Sequence, residues 1–383
     1  MLTAEDQDAL VRTVKAFVDR EVAPAAGALE KRGEYPSALV ATMREIGLFG
    51  INVPEAYGGT ALPATVYARL FEEIARGWMS LAGVLGTHLV VCDVLRHHGT
   101  PAQQAAFLPA LAAGDVRGAI ALTEAHAGSD LAAIRTAAVR DGGEYVLDGA
   151  KLWITNARSA GLFVVLARTD PRASPPGRGL SAFLVTPADG LRVTRDIEKL
   201  GYKGIETCEV VLDGVRVPAD RLVGGEPGHG LRHVMTGLEA ERINVAARGV
   251  GVARAAFEEA IRYAKTRTTF GKPIAEHQAV QLMLADMATG IEAARQLTQF
   301  AAARKDHGER CDVEAGMAKL FASETAQRVS LDAMRILGAN GYSTDFGVER
   351  CYRDAPLLMI GGGTNEIQRL VIARGLLTRM GKD

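Results

Sequence analysis

The hydrophobic pattern changes its period twice along the 383-residue chain, and these two changes constrain the fold more than any other feature. Apolar residues recur at helical spacing in residues 1–118. Residues 119–232 form short segments rich in β-branched side chains, and the helical period returns and persists in residues 233–383. We therefore predict an α+β protein with an N-terminal helical domain, a middle antiparallel β-barrel or sandwich, and a C-terminal helical bundle.

Two Asp-Gly pairs in the middle region predict tight turns. Asp148-Gly149 in EYVLDGAKLWITN and Asp213-Gly214 in VVLDGVRVP each lie between two apolar runs. Asp-Gly favours the two-residue turns that join antiparallel strands. We therefore expect a β-hairpin at each pair.

Composition and charge exclude several classes of protein. Lys and Arg number 44 against 45 Asp and Glu, so the charge of −1 argues against binding to nucleic acid. The uncharged residues 77–92 fall short of the roughly 20 apolar residues of a membrane helix. Residues 78–95 are apolar on nearly every face, which predicts a helix buried on all sides. The N-terminus is acidic and amphipathic, unlike a signal peptide.

The cysteines indicate a reducing compartment. They are far apart and form no C-x-x-C pair: Cys92, Cys208, Cys311 and Cys351. In a chain of this size such cysteines are typical of reduced thiols, so we expect a cytoplasmic protein.

Common catalytic motifs are absent. GHGLRH lacks the third glycine of a dinucleotide-binding loop, and TFGKPI has Pro273 where a phosphate loop needs Ser or Thr. H-E-x-x-H and G-x-S-x-G do not occur, and His97 and His98 point to different helix faces. A nicotinamide Rossmann enzyme, an NTPase, a zinc hydrolase and a serine hydrolase therefore lose support, and no metal site is predicted.

Seven segments resemble the acyl-CoA dehydrogenase family, and the resemblance covers essentially the whole chain. They are ALTEAHAGSD (121–130), KLWITNA (151–157), KLGYKGIETCEVVLDGVRVPADRLVG (199–224), ERINVAARGVGVA (241–253), YAKTRTTFGKPIAEHQAVQLMLADMA (263–288), ILGANGYS (336–343) and GGGTNEIQR (361–369). The resemblance implies a C-terminal four-helix bundle, a homotetramer with one FAD per subunit, and oxidation of an acyl-CoA to the 2,3-enoyl-CoA. Electrons would pass to electron-transfer flavoprotein.

The catalytic base departs from the commonest family pattern. Many relatives carry a glutamate where this chain has Gly362, and a glycine cannot accept a proton. Glu241, followed by Arg242, resembles the base of the isovaleryl-CoA and long-chain members. The resemblance also implies that the Gly363 N–H and a ribityl hydroxyl of FAD hold the enolate oxygen. Without the resemblance, Glu241 would be interpreted as a solvated glutamate in a first helical turn, and the chain as lacking a base.

The resemblance places further residues at the cofactor and the substrate. Flavin contacts are expected from Leu122, Thr123, Ser129, Trp153, Ile154 and Thr155 of one subunit. Contacts to the rest of FAD, several of them across a subunit interface, are expected from Arg267, Phe270, Gln278, Arg335, Gly338, Thr364 and Glu366. Acyl-CoA would contact Ser129, Glu239, Arg242 and Gly363.

Two of these interpretations leave a structural alternative open. Trp153 could instead fill the core of the β domain. We expect residues 78–90 and the start of the Glu241 helix to wall the acyl pocket. Gly83 and Gly86 could leave space there, or could mark tight contacts between helices.

Other functions remain compatible with the same residues. The flavin could react with O₂ in an oxidase or monooxygenase, or the acyl group could be attached to a carrier protein. A helical interaction protein that keeps FAD for structure is a third possibility, because residue 362 is not a carboxylate.

Overall fold

Helices form the first third of the chain in the computed structural model, which describes residues 2–380. They are α1 (Ala4–Phe17), α2 (Ala23–Arg32), α3 (Ser37–Glu45), α4 (Ala64–Gly77), α5 (Met79–His98) and α6 (Pro101–Ala112). Thr3 and Thr100 begin α1 and α6 with capping boxes, in which the threonine side chain accepts the N–H of the residue three positions on. A π-helical turn, Val18–Val22, joins α1 to α2.

Helix α5 is the buried helix of the fold. Every residue from Met79 to Leu95 except Thr87 is buried, which confirms the prediction for this segment. The helix has 20 residues and a mean hydropathy of 1.4, so it is long and apolar enough to cross a membrane. The helix is longer than the uncharged residues 77–92, because it continues past Asp93 and Arg96 to His98. However, 89% of its most apolar 18 residues are buried within the fold, as in a core helix.

The middle region forms one curled sheet. Its strands are β1 (Gly118–Ala121), β2 (Ala137–Asp141), β3 (Glu144–Thr155), β4 (Leu162–Arg168), β5 (Leu180–Val185), β6 (Arg192–Asp196) and β7 (Thr207–Pro218). Their order is β1-β4-β2-β3-β7-β6, and β5 pairs with β4. Most pairs are antiparallel as predicted, but β4 runs parallel to both β1 and β2. The β2–β3 hairpin between β1 and β4 provides the crossover that this parallel pair requires.

The hairpins predicted at the two Asp-Gly pairs were wrong. Asp148-Gly149 lies inside β3 and Asp213-Gly214 lies inside β7, and the register of the two strands shifts at this point. The Gly214 N–H donates to Asp148 Oδ1 at 2.7 Å, so the amide left over by the bulge has a partner. Both strands therefore continue through these pairs, and the turn between β2 and β3 is made by residues 142–143.

Long helices return after the sheet. They are α7 (Gly230–Thr266), α8 (Gln278–Asp306), α9 (Asp312–Leu337), α10 (Val348–Ile360) and α11 (Asn365–Met380). A small hairpin of β8 (Thr268–Thr269) and β9 (Lys272–Pro273) lies between α7 and α8. Buried residues of α7, α8, α9 and α10 share one core with α1, α4 and α5. The sheet has a core of its own, and a third cluster joins it to α5 and α6. Helix α5 therefore lies between the sheet and the bundle.

Candidate active site

The structure brings Glu241 and Gly362 together. Glu241 lies eleven residues into the 37-residue helix α7, so it is not in a first helical turn, and its side chain is only 16% exposed. Gly362 follows α10 with a φ of 64°. A Cβ at Gly362 would lie 3.8 Å from Glu241 Cδ and 3.3 Å from Val245 Cγ2. The interpretation of Glu241 as a solvated first-turn residue was therefore wrong.

The environment of Glu241 is desolvated and positively charged. Burial raises the pKa of Glu241, while the charges of Arg248, Lys319 and Arg242 oppose that rise. Arg248 Nη2 lies 3.6 Å from Glu241 Oε1, too far for a good hydrogen bond. Within residues 2–380, no group donates a hydrogen bond to the Glu241 carboxylate. A desolvated carboxylate with its oxygens uncommitted is suited to accept a proton.

The loop after α10 presents two backbone N–H groups. Gly362 and Gly363 both have positive φ, and neither N–H has a hydrogen-bond partner among the described residues. The Gly363 carbonyl instead accepts from Lys319 Nζ and Gln368 Nε2, each at 3.0 Å. The two amides are therefore free to bind a ligand oxygen.

Lys319 fixes this loop and was not recognised in the sequence. Its side chain is fully buried and its Nζ also donates to the Met359 carbonyl at 3.1 Å and to Asn365 Oδ1 at 2.8 Å. Burial lowers the pKa of Lys319 to about 8. A lysine inside the apolar stripe of α9 was the available signal, because lysine is seldom buried without partners.

The first two predicted flavin segments lie side by side. The Leu152 N–H donates to the Thr123 carbonyl at 2.9 Å, and Lys151 Nζ donates to the Leu122 carbonyl at 3.0 Å. Trp153 is 56% exposed with a φ of 65°, so it does not fill the core of the β domain. Thr123 and Thr155 are half-buried, Ile154 is buried and Ser129 is exposed on its loop.

A set of contacts through α5 connects these segments to Glu241. Asn156 Nδ2 donates to the Val84 carbonyl of α5 at 2.9 Å. A Cβ at Gly83 would overlap the hydroxyl of Tyr202, and that hydroxyl contacts Arg248.

The two glycines of α5 mark close contacts and not open space. Gly83 faces Tyr202, and a Cβ at Gly86 would lie 2.6 Å from Asn244 Nδ2 of α7. Gly86 is therefore a tight contact between two helices, as one interpretation held, whereas Gly83 closely contacts a loop residue. Both glycines admit polar side chains to the interior beside Glu241.

A third group of predicted residues lies elsewhere in the chain. Arg267 directly follows the end of α7, and Phe270 in the next hairpin is 97% exposed. Asn340 Nδ2 donates to the Tyr263 hydroxyl at 2.9 Å, which brings the Gly338 segment to the same end of α7. Arg335 and Gln278 are also exposed, and Arg335 pairs with Asp332.

Helix geometry separates this group from Glu241. Arg267 is 26 residues after Glu241 along α7, which corresponds to roughly 40 Å of helix at 1.5 Å per residue. The group thus does not join the Glu241 site within one chain.

The remaining predicted residues surround the glycine loop and the middle of α7. Thr364 Oγ1 accepts the Ile367 N–H at 3.3 Å at the start of α11, and Glu366 is exposed. Glu239 is exposed, whereas Arg242 is 4% exposed and its Nε has no hydrogen-bond partner. A buried guanidinium with an unpaired N–H fits a polar or anionic group of a ligand.

A separate cavity of about 580 Å³ opens between α2, α7 and α10 and shares no residue with the Glu241 site. Its walls carry charges of both signs, including Arg76, Glu258 and Arg262. Among residues 2–380, no three His, Cys, Asp or Glu side chains are placed to hold a metal ion.

Comparison with known protein families gives three matches that together cover most of the chain. The N-terminal, middle and C-terminal domains of acyl-CoA dehydrogenase match residues 4–115, 119–215 and 228–377.

Individual proteins are similar over almost their whole length. An acyl-CoA dehydrogenase of Bacillus subtilis (strain 168) is 42% identical over 382 residues, which cover 98% of this chain and 99% of that protein. The structure of butyryl-CoA dehydrogenase from Megasphaera elsdenii superposes with a TM-score of 0.94 at 34% identity, covering 98% of this chain and 99% of the other. The prolyl acyl carrier protein oxidase AnaB gives a TM-score of 0.92 at 31% identity, covering 98% and 100%.

Domains, fold and sequence thus agree from one end of the chain to the other. The resemblance drawn from seven short segments is confirmed, and so is the arrangement of helices, sheet and helices. This chain belongs to the acyl-CoA dehydrogenase family and is an oxidoreductase for the flavin-dependent dehydrogenation of acyl-CoA.

Proposed function

We propose that Glu241 is the base that removes the α-proton of an acyl-CoA during its desaturation to the 2,3-enoyl-CoA. The observation that carries this proposal is the contact between Glu241 and Gly362, the position where many relatives carry their glutamate. A carboxylate from α7 reaches the same space from another direction. It is desolvated, which strengthens it as a base, and nearby cations keep it ionised.

The glycine loop would hold the charge that develops on the thioester oxygen. Removal of the α-proton moves an electron pair toward that oxygen, so a donor must be in place beforehand. The Gly363 N–H has no well-formed hydrogen bond among the described residues, and Lys319 fixes the adjoining peptide of the loop by donating to the Gly363 carbonyl. Lys319 is therefore a positioning residue, whereas Glu241 and Gly363 would contact the substrate.

FAD, when bound, supplies an acceptor for the β-hydride at its N5 atom. The Thr123 and Thr155 hydroxyls, the Leu122 and Ile154 backbone and the exposed Trp153 ring fit one face and edge of a flavin, with Ser129 on the adjoining loop. Thr364 and Glu366 would lie toward the adenosine side.

We propose that a second copy of the chain completes the cofactor site in a homotetramer. Arg267 follows the end of α7 that lies roughly 40 Å from Glu241, and the Gly338 segment meets the same end. We therefore expect this group not to reach the flavin of its own subunit: Arg267, Phe270, Gln278, Arg335 and Gly338. Phe270 is almost fully exposed, as expected of an apolar residue that another subunit covers.

The substrate tether, the electron acceptor and the compartment belong to the same proposal. Ser129, Glu239 and Arg242 would bind the CoA portion, and electrons would pass to electron-transfer flavoprotein. Cys92, Cys208, Cys311 and Cys351 are free, as expected in the cytoplasm.

A second candidate is the oxidation of an acyl group carried by a carrier protein, with O₂ as acceptor. The similarity to the prolyl acyl carrier protein oxidase AnaB supports it. It uses the same Glu241 and differs in the substrate tether and in the fate of the electrons.

An anaerobic panel of straight, branched and aromatic acyl-CoA thioesters tests the proposal. We expect at least one thioester to bleach the flavin, and the reduced enzyme to reoxidise slowly when it is mixed with air. Rapid reoxidation would favour the oxidase. A flavin that no acyl-CoA bleaches, but that an acyl carrier protein thioester does, would favour the carrier-protein substrate.

A further inference from the structure

Arg248 is a buried cation with too few partners. The residue is 6% exposed, and its Nε has no hydrogen-bond partner among the described residues. Among residues 2–380, its one ion pair is the 3.6 Å contact to Glu241, and its polar neighbours include the hydroxyls of Tyr202 and Tyr67. A guanidinium has five N–H donors, and a buried charge is stable only when it is both paired and hydrogen-bonded. The resting site therefore leaves most of this group's donors unused.

The polar surroundings contain more positive than negative charge. Arg242, Arg248 and Lys319 all act on Glu241. The donors of Lys319 are used by two carbonyls and by Asn365, and Arg242 lies near Glu239 and Asp312. Of these three cations, Arg248 alone has no carboxylate near it besides the proposed base, within the part of the chain that the structure describes.

The position of Arg248 relative to the glycine loop indicates which part of a bound substrate would lie near it. The Glu241 carboxyl carbon lies beside Gly362, while its Oε1 faces Arg248. If the thioester oxygen binds at Gly363 and the α-carbon lies against Glu241, the remainder of the acyl group continues toward Arg248. This step rests on the proposed function. The substrate's far end then meets a cation and the Tyr202 hydroxyl, and not an apolar wall.

We infer that the substrate is a short acyl thioester that carries a second carboxylate, which Arg248 binds. The distance sets the length of the acyl group. Glu241 Oε1 and Arg248 Nη2 are 3.6 Å apart. The α-carbon approaches the base at about 3–3.5 Å and the carboxylate approaches the guanidinium at about 2.8 Å. One or two carbons between the α-carbon and the carboxyl carbon satisfy these limits, as in a succinyl or glutaryl skeleton.

Binding of that carboxylate would also act on the base. A substrate anion at Arg248 neutralises the cation nearest to Glu241, and the carboxylate of Glu241 then becomes a stronger base. An acyl group without the second carboxylate leaves Glu241 paired with Arg248. Recognition of the substrate and activation of the base are thereby coupled.

Paired substrates test the inference with the FAD-loaded enzyme. Succinyl-CoA is compared with butyryl-CoA and glutaryl-CoA with valeryl-CoA by anaerobic flavin bleaching, at a pH on the plateau of each variant's profile. In at least one pair, we expect the dicarboxylic member to have a kcat/KM about ten- to a hundred-fold higher, as for a hydrogen bond to a charged group. Calorimetric titration with fumaryl-CoA and crotonyl-CoA gives the same comparison for binding alone.

Substitution of the arginine separates the possible outcomes. Arg248→Met should reduce the dicarboxylic preference to near one. Arg254→Met on the same helix removes a guanidinium that Glu73 and Glu258 already satisfy, and should leave the preference unchanged. A wild-type ratio of one or below in both pairs would overturn the inference, and so would an equal loss for both members in Arg248→Met. If no CoA thioester of any kind bleaches the flavin, the proposed function itself is wrong.

Discussion

Two buried glutamates of this protein each face a cation, and their surroundings differ. In the β domain, Glu124 accepts from Lys151 Nζ at 2.8 Å, from the Thr136 hydroxyl at 2.5 Å and from the N–H groups of Arg135 and Thr136. In the bundle, the only ion pair of Glu241 among the described residues is the 3.6 Å contact to Arg248. The first carboxylate is fully hydrogen-bonded and the second is not.

The difference appears in the direction of the two pKa shifts. Although burial alone would raise it, the hydrogen bonds from Lys151 and Thr136 lower the pKa of Glu124 to about 2. For Glu241, burial prevails over the nearby cations and the pKa is raised. A buried pair with all its hydrogen bonds stabilises a fold, whereas a buried pair without them has capacity left for a ligand or a proton. The comparison supports a structural role for Glu124 and the proposed role of Glu241 as the base.

The largest expected effect follows from removing the reactive carboxylate. Glu241→Gln keeps the shape of the side chain but cannot accept a proton, so we expect turnover to fall about 10²–10⁴-fold. Flavin content and melting temperature should stay close to those of the wild type. Glu259→Gln, at a half-buried position of the same helix where the glutamate pairs with Arg262, is the control and should keep full turnover. Turnover of Glu241→Gln within a factor of two of the wild type would exclude Glu241 as the base.

Breaking the hydrogen-bonded pair should affect stability. Lys151→Met leaves Glu124 buried without its counter-charge, and we expect a loss of about 3–5 kcal/mol in the free energy of unfolding. Thermal and denaturant unfolding measure this loss. The double variant Lys151→Met/Glu124→Gln should recover part of it, because no buried charge is left unpaired. The exposed pair Arg216–Glu144 is the control, and Arg216→Met should cost less than about 1 kcal/mol.

As the pH falls, Glu241 should become protonated above the ordinary glutamate pKa and Glu124 below it. If Glu241 is the base it must be ionised, so the acid limb of the kcat/KM–pH profile, which reports the free enzyme, should lie above about 4.3, the ordinary pKa of glutamate. Arg248→Met should move that limb still higher, because a cation that favours the ionised form is removed. An acid limb below the ordinary value would contradict the raised pKa.

The contribution of Glu124 to the free energy of unfolding should persist to a pH well below the ordinary glutamate pKa. Its pKa is lower in the folded protein than in the unfolded chain, so its contribution to stability is complete above about 4.3, the ordinary glutamate pKa, and is lost as the pH falls through about 2. Unfolding of the wild type as a function of pH, compared with Glu124→Gln, measures this contribution. If the two stabilities ran parallel between those values, the carboxylate would have no such role.

The smallest effect concerns the contact at Gly362. Gly362 has a φ of 64°, and Gly362→Ala places a methyl group 3.8 Å from Glu241 Cδ. Because the methyl group occupies space beside the carboxylate, we expect turnover to fall a few-fold. Gly33→Ala is a matched control, because Gly33 has a φ of 61° and nothing within 4 Å of the added Cβ. Both variants should lose about 1–2 kcal/mol of stability through backbone strain. Only Gly362→Ala should lose activity.

The order of helices, sheet and helices was predictable because burial of apolar faces imposes a period on the sequence. Helix α5 was predicted for this reason, since it is apolar on every side. The bulges at Asp148 and Asp213 were not, because an Asp-Gly pair fits a turn and a bulge equally well. The partner strand and the bond from the Gly214 N–H decide between them, and both are distant in sequence.

The same distinction holds for the candidate site. Glu241 was found because its neighbour Arg242 and the missing carboxylate at residue 362 form a recognisable pattern. Lys319 and Arg248 were missed, because only the fold shows that one binds the glycine loop and the other faces Glu241. Their sequence signal, a cation inside an apolar helix face, does not reveal what the cation contacts.

Proton exchange at the α-carbon tests the role of Glu241 most directly. A bound acyl-CoA in D₂O is followed by NMR with wild-type enzyme and with Glu241→Gln, both loaded with FAD. We predict that deuterium enters the α-position with the wild type, and only at the background rate with the variant although the variant still binds the thioester. Exchange at the wild-type rate in Glu241→Gln would show that another group removes the proton.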